Sequence, residues 1–260
     1  MDKPGNYYQS INRVLFHQIP ETAMRILEIG CASGMFGAAL KEQNPQRYVV
    51  GVEYVPAVAE VAKTRLDEVY AFDIQVQDLP DSIALQSFDC IVFGDVLEHL
   101  TEATVVLRKL LPYLKPDGQV VACIPNVQHF SVIQQLLTQN FQYHGAGLLD
   151  KTHVNLMTLP NMFKMFLDAG YLPQLKQVIH NGAIDEGFMN SLNPVLGYLG
   201  IVPERAKLTL EAFQYVLSAR IQQANLNRLA AWQDKVKPQA CTVAVAANNA
   251  LQYNNNIAAS

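Results

Sequence analysis

The chain has 260 residues, half of them hydrophobic and only 16% charged, with a net charge of −4 and a pI near 5.8. That composition excludes disorder driven by high charge, and 14 Gly and 13 Pro exclude a collagen-like chain. The length is ample for one large domain with a real core.

The 19 Lys and Arg form no cluster, which argues against nucleic acid as a partner. Polarity comes instead from amides, 21 Gln and 17 Asn. No run of about 20 apolar residues is present to span a membrane. The nearest candidate, 188–203, is interrupted by Asn190, Asn193 and Pro194. The first residues lack the apolar stretch of a secretion signal, so the expected setting is the cytoplasm, with no membrane partner. Cys31, Cys90, Cys123 and Cys241 have no metal-ligand spacing and read as buried free thiols. No metal is expected.

Residues 1–24 read as a helical lead-in, with Tyr7, Tyr8, Ile11, Val14 and Leu15 at amphipathic spacing. From 25 onward, short apolar runs alternate with helical patterns, which predicts βαβ units and a mostly parallel sheet. Strands are predicted at 25–29, 47–53, 69–73, 88–94 and 119–124, with helices at 36–43, 58–68 and 100–114 between them. Lys115-Pro116-Asp117-Gly118 reads as the turn that ends the last of these helices. A helix at 159–169 follows, with Thr158 as cap, Pro160 in its first turn and Gly170 at its end. A sixth strand is expected at 175–180. Residues 185–235 read as a helical insertion or cap, strongest over 204–232. Residues 236–260 hold the last expected strand, 241–247, and an Asn-rich frayed tail. The core domain is thus 25–184, within a doubly wound, Rossmann-like α/β fold of seven strands.

Glu28-Ile29-Gly30-Cys31-Ala32-Ser33-Gly34 lies where the first strand turns into a helix. Glycine allows a tight bend and close backbone approach to a ligand, and a helix start offers free N–H groups. In open α/β sheets, ligands bind in the crevice beyond the strand carboxyl ends. The glycines fall at Gly30, Gly34 and Gly37, with Ala32 between, so the G-x-G-x-x-G dinucleotide fingerprint fails. Glu53 ends the second strand, where a carboxylate can accept both hydroxyls of a ribose. Gly94-Asp95-Val96-Leu97-Glu98-His99-Leu100 follows the fourth strand.

Together with the 111–118 stretch (LPYLKPDG), Ile124-Pro125-Asn126-Val127 and the 147–153 stretch (GLLDKTH), this set resembles class I S-adenosylmethionine-dependent methyltransferases. It looks closest to a bacterial small-molecule type with a GDVLEHL-like motif, over about residues 7–182. The resemblance implies methyl transfer from S-adenosylmethionine to an oxygen or nitrogen of a small molecule. It places the methionine moiety on Glu28 and the loop of Gly30, Cys31, Ala32 and Gly34. It places the ribose on Glu53, with Tyr54 beside the adenine. The adenine amine falls to Asp73 or, as a close second, Asp78. Gly94 and Asp95 would face the methionine ammonium or the acceptor, although Asp95 is equally suited to capping the next helix.

The sequence departs from the family pattern at Ala32, where relatives usually carry Gly. It departs again at Asn155, Leu156 and Met157, where relatives commonly have Arg and two Phe. His129 and His153 each lie near the expected acceptor end, and either can take a proton from an acceptor, since imidazole titrates near neutral pH. Two rival readings are a nicotinamide-dependent oxidoreductase and a non-catalytic cofactor-binding scaffold. Stretches 118–149 and 187–203 contain no charged residue at all. That pattern predicts an uncharged acceptor, or a face covered by another subunit through the helical insertion.

Overall fold

The computed structural model describes residues 11–225. Seven strands form one sheet: β1 (Arg25–Ile29), β2 (Tyr48–Glu53), β3 (Glu68–Ala71), β4 (Phe88–Gly94), β5 (Leu114–Pro125), β6 (Tyr171–His180) and β7 (Ala212–Ile221). Their order is β3-β2-β1-β4-β5-β7-β6, parallel except that β7 runs antiparallel to both its neighbours. The helices are α1 (Arg13–Phe16), α2 (Met35–Gln43), α3 (Pro56–Ala62), α4 (Ala103–Leu110), α5 (Phe130–Leu137), α6 (Leu159–Asp168), α7 (Glu186–Tyr198) and α8 (Pro203–Glu211).

The central strands are continuous apolar runs because both faces of the sheet are covered. The period of two sorts their side chains. Leu27, Ile29, Ile91, Phe93, Val120 and Ala122 share one core with Val106 and Leu107 of α4 and Met162 and Phe166 of α6. Ile26, Cys90, Val92, Val121 and Cys123 point the other way, onto Leu15 of α1, Leu40 of α2 and Ala62 of α3. A third, smaller cluster joins Met189 of α7 and Leu210 of α8 to Phe130 and Ile133 of α5.

The α/β fold with a seven-stranded sheet is as the alternating pattern predicts. Thr158 caps α6 in a capping box with Asn161, as expected of that sequence. The lead-in is a single described turn, α1, capped by Asn12, and Tyr7 and Tyr8 lie outside the described residues.

Two expectations are corrected. Residues 115–118 do not end a helix. They lie inside β5, whose pairing with β4 jumps from Phe88↔Leu114 to Cys90↔Gln119, so the turn-forming residues bulge out of an unbroken strand. The helical reading of 204–232 holds only through α8. From Ala212 the chain is strand, inserted between β5 and β6. Val216, Leu217 and Ser218 are all buried in succession, which erases the alternation that marks a half-exposed strand. The helical insertion is therefore the α7–α8 pair, placed before β7. The strand expected at 241–247 lies outside the described residues.

Candidate functional site

A cleft of about 890 Å³ opens beyond the carboxyl ends of β1, β2 and β4. That is where the strand order reverses, between β1 and β4, the place where open α/β sheets bind ligands. Its floor is the loop from Gly30 to Ala32. Gly30 has φ +69, and a β-carbon there would meet Val96 Cγ2 at 2.5 Å. Ala32 also sits in the left-handed region, at φ +48, a conformation L residues occupy at a cost. Glu53 holds it: one carboxylate oxygen accepts from the Ala32 N–H at 2.9 Å, the other from the Val55 N–H at 2.9 Å. The departure from glycine at this position is thus accommodated by a hydrogen bond to a buried carboxylate.

Glu28, Gly30, Cys31, Ala32, Glu53, Tyr54, Asp73, Gly94, Asp95 and His153 all line the cleft. Burial pushes the Glu28 carboxyl up to about 8; the Gly37 N–H opposes the rise and the Glu53 charge adds to it. Its Oε2 has no hydrogen-bond partner among the described residues. Burial raises the Cys31 thiol in the same way, so it is a packing group rather than a nucleophile. Tyr54 is largely exposed at the rim.

Three expected residues are not on the cleft wall. Gly34 is the N-cap of α2, and a β-carbon there would meet Ala62 and Leu66 at 3.2 Å, so its glycine serves helix packing. Asp78 is exposed and pairs with Lys109 at 3.3 Å, which separates it from Asp73, whose Oδ1 takes the Gln75 N–H at 2.8 Å. His129 is buried at the start of α5, its Nδ1 against Ser131 Oγ at 2.9 Å and its ring between Phe130 and Phe213. Burial lowers its pKa, while the Asn181 peptide pulls the other way. That is a capping and packing histidine.

The structure adds residues that sequence reasoning missed. Phe213 and Gln214 of β7 line the cleft, and Gln214 Nε2 donates a hydrogen bond to Asp95 Oδ1. They were hidden by the helical reading of that strand. Glu98, His99 and Asp150, which belong to the 94–100 and 147–153 motifs already read from the sequence, line it as well. Asp150 is buried and accepts from the Thr152 N–H at 2.9 Å and hydroxyl at 2.7 Å, which sets the loop that carries His153.

A family model described as a methyltransferase domain matches residues 5–173. The chain belongs to that methyltransferase family. Among curated proteins, it is 29% identical over 99 residues to ubiquinone biosynthesis O-methyltransferase of Xanthomonas oryzae pv. oryzae, covering 37% of this chain and 41% of that protein. The protein of the same name from Xylella fastidiosa is 27% identical over 106 residues, 40% and 42% of the two chains. The matches thus span well under half the length of these relatives. In fold, it resembles a S-adenosylmethionine-dependent methyltransferase of Thermotoga maritima, described as a possible histamine N-methyltransferase. That likeness has TM-score 0.56 and 17% identity, and covers 83% and 89% of the two chains. A S-adenosylmethionine-dependent methyltransferase of Archaeoglobus fulgidus matches at TM-score 0.55 and 15% identity, over 83% and 96%. Membership in this family favours neither the nicotinamide-dependent reading nor the scaffold reading. Among the described residues, no helix is long and apolar enough to cross a membrane.

Proposed function

We propose that this chain transfers a methyl group from S-adenosylmethionine to an oxygen or nitrogen of a small molecule. The observation that carries the reading is the Glu53 carboxylate, which clamps the Gly30–Ala32 loop at the strand-order reversal of a methyltransferase-family sheet. On this reading Glu28 and the loop hold the methionine moiety and Glu53 meets the ribose. Tyr54 and Asp73 meet the adenine, and Gly94 and Asp95 face the methionine ammonium. The names of the curated relatives favour an oxygen acceptor.

The reaction is an in-line displacement at the sulfonium methyl, and the protein's main task is to hold the nucleophile about 3 Å from it and aligned. His153 is the imidazole placed to take the acceptor's proton, since it lines the cleft and His129 does not. The walls near His153 come partly from the charge-free stretches, as Pro125, Gly147 and Leu148, and so suit an uncharged, apolar or aromatic acceptor. The working context is a bacterial cytoplasm, with the α7–α8 pair, which exposes Val195, Tyr198 and Leu199, as a contact between two copies.

Isothermal titration with S-adenosylmethionine and S-adenosylhomocysteine tests the reading. Binding of both in the micromolar range is expected, and folded protein that takes up neither overturns it.

A further inference from the structure

We propose that Arg65 is a positioning residue for the cofactor loop and acts on it through the Ser33 carbonyl. Arg65 lies in the turn that leads from α3 to β3. Its Nη1 donates a hydrogen bond to the carbonyl oxygen of Ser33, 32 positions earlier in the chain, at 2.6 Å. A guanidinium donor makes such a bond shorter and stronger than a neutral one. Arg65 does not line the cleft, so it grips the loop from behind.

The loop needs that grip because of its backbone. Gly30, Ala32 and Gly34 all have positive φ, at +69, +48 and +79. The Gly34 N–H closes a turn onto the Cys31 carbonyl at 2.8 Å, and the left-handed Ala32 is the second residue of that turn. An alanine there persists only where its surroundings fix the peptides on either side. Glu53 fixes the peptide before Ala32 by accepting its N–H. Arg65 fixes the peptide after Ser33 by donating to its C=O. The two outer peptides of the turn are thus held by side chains of opposite charge.

Arg65 works from a fixed platform. Its own N–H and that of Leu66 both bond the Ala62 carbonyl, at 2.9 and 3.0 Å. Asp67 accepts from the Val49 N–H of β2 at 2.7 Å and pairs with Lys41 of α2 at 2.8 Å. The turn is therefore bolted to both elements that flank the loop. Ala62 and Leu66, which pack behind Gly34, are buried and do not depend on the guanidinium. Arg65 itself is only half-buried. Removing its charge therefore leaves the core in place and frees the loop, so cofactor affinity falls more than stability.

The role rests on the methyl-transfer reading, in which this loop holds the methionine moiety. A loop already ordered before the cofactor arrives is not ordered at the expense of binding. Without Arg65 the 33–34 peptide is free to rotate, and the cofactor has to order it. Lysine at this position keeps a charged donor on a stem of similar length, whereas methionine keeps the stem and loses the donor.

The test is calorimetric titration of the full chain with S-adenosylhomocysteine, alongside thermal denaturation, in wild type, Arg65→Met, Arg65→Lys and Lys63→Met. Lys63 lies in the same turn and pairs only with the exposed Glu60, so its variant controls for loss of a surface charge. Arg65→Met is expected to bind about tenfold or more weakly, as loss of a charged hydrogen bond implies. Arg65→Lys is expected to recover most of that loss, and Lys63→Met to match wild type. Wild-type affinity in Arg65→Met, with or without a lower melting temperature, overturns the role and leaves Arg65 a structural residue. A loss in Arg65→Lys as large as in Arg65→Met overturns it too. Should Arg65→Met not fold, Arg65→Gln takes its place: weaker binding than in Arg65→Lys supports the role, and wild-type affinity overturns it. Wild type that binds S-adenosylhomocysteine while Arg65→Met binds it equally well sinks this role alone, whereas wild type that does not bind it sinks the methyl-transfer reading itself.

Discussion

Gln214 of β7 donates its side-chain amide to the carboxylate of Asp95 at the end of β4, joining residues 119 positions apart in the chain. Asp95 is itself in the left-handed backbone region, at φ +56, with its N–H on the Cys123 carbonyl at 3.3 Å. The carboxylate that faces the cleft is therefore oriented from the antiparallel strand. A hydrogen bond to a charged group is worth about 1.5–3 kcal/mol. Gln214→Leu is accordingly expected to weaken S-adenosylmethionine binding by about tenfold or more, with Gln214→Glu worse because it sets two carboxylates together. Titration of both variants checks this, and wild-type affinity in Gln214→Leu would show that Asp95 needs no such support.

Glu53 serves the loop as well as the proposed ribose. Its two oxygens hold the N–H groups of Ala32 and Val55. Glu53→Ala leaves both amides unpaired, so a stability loss of about 2–4 kcal/mol and a large loss of cofactor affinity are expected together. Glu53→Gln keeps one acceptor oxygen and should lie between. Chemical denaturation and titration on the same samples separate the two effects.

The loop backbone makes opposite forecasts two residues apart. Gly30→Ala drives a methyl into Val96 Cγ2 at a positive φ, with an expected cost of about 2–5 kcal/mol. Ala32→Gly relieves the left-handed alanine, which costs about 1–2 kcal/mol in that region, against about 0.4–1 kcal/mol of added chain entropy in the unfolded state. A neutral to slightly raised melting temperature is expected for it.

Asp73 and Asp78 are also separable. Asp73→Asn is expected to weaken binding of the adenosyl moiety. Asp78→Asn, which removes only an exposed pair with Lys109, should leave it unchanged. An affinity loss on Asp78→Asn alone would reverse the assignment.

The Glu28 carboxyl, pushed up to about 8, sets a pH dependence. The unfolded carboxyl has a pKa near 4.5, so between about 4.5 and 8 the folded state binds more protons than the unfolded one. Stability from this group is full below 4.5 and is lost as pH rises through 8. Glu28→Gln, which cannot titrate, should flatten that part of the profile and leave the variant relatively more stable above pH 8. On the proposed reading, the cofactor's ammonium favours the charged carboxylate, so binding near pH 7 should release a proton. Calorimetry in buffers of different ionisation enthalpy measures that release.

Much of this protein is written locally. Strands such as 88–94 and the glycine-bearing loop after β1 are legible because a short apolar run or a sterically demanding turn leaves its mark within a few residues. The same holds for Glu53 at a strand end and Asp95 after one. What depends on distant partners is not so marked. Val216 and Leu217 enter the cores on opposite faces of the sheet and Ser218 is buried as well, so β7 carries no alternation and resembles a helix until its place between β5 and β6 is known. His129 and His153 look alike in the chain. Only packing turns one ring into the space between two phenylalanines and the other into the cleft beside Glu98. Side-chain chemistry and local turns are properties of the sequence itself, whereas burial, orientation and the meeting of residues from separate loops are decided by the tertiary fold.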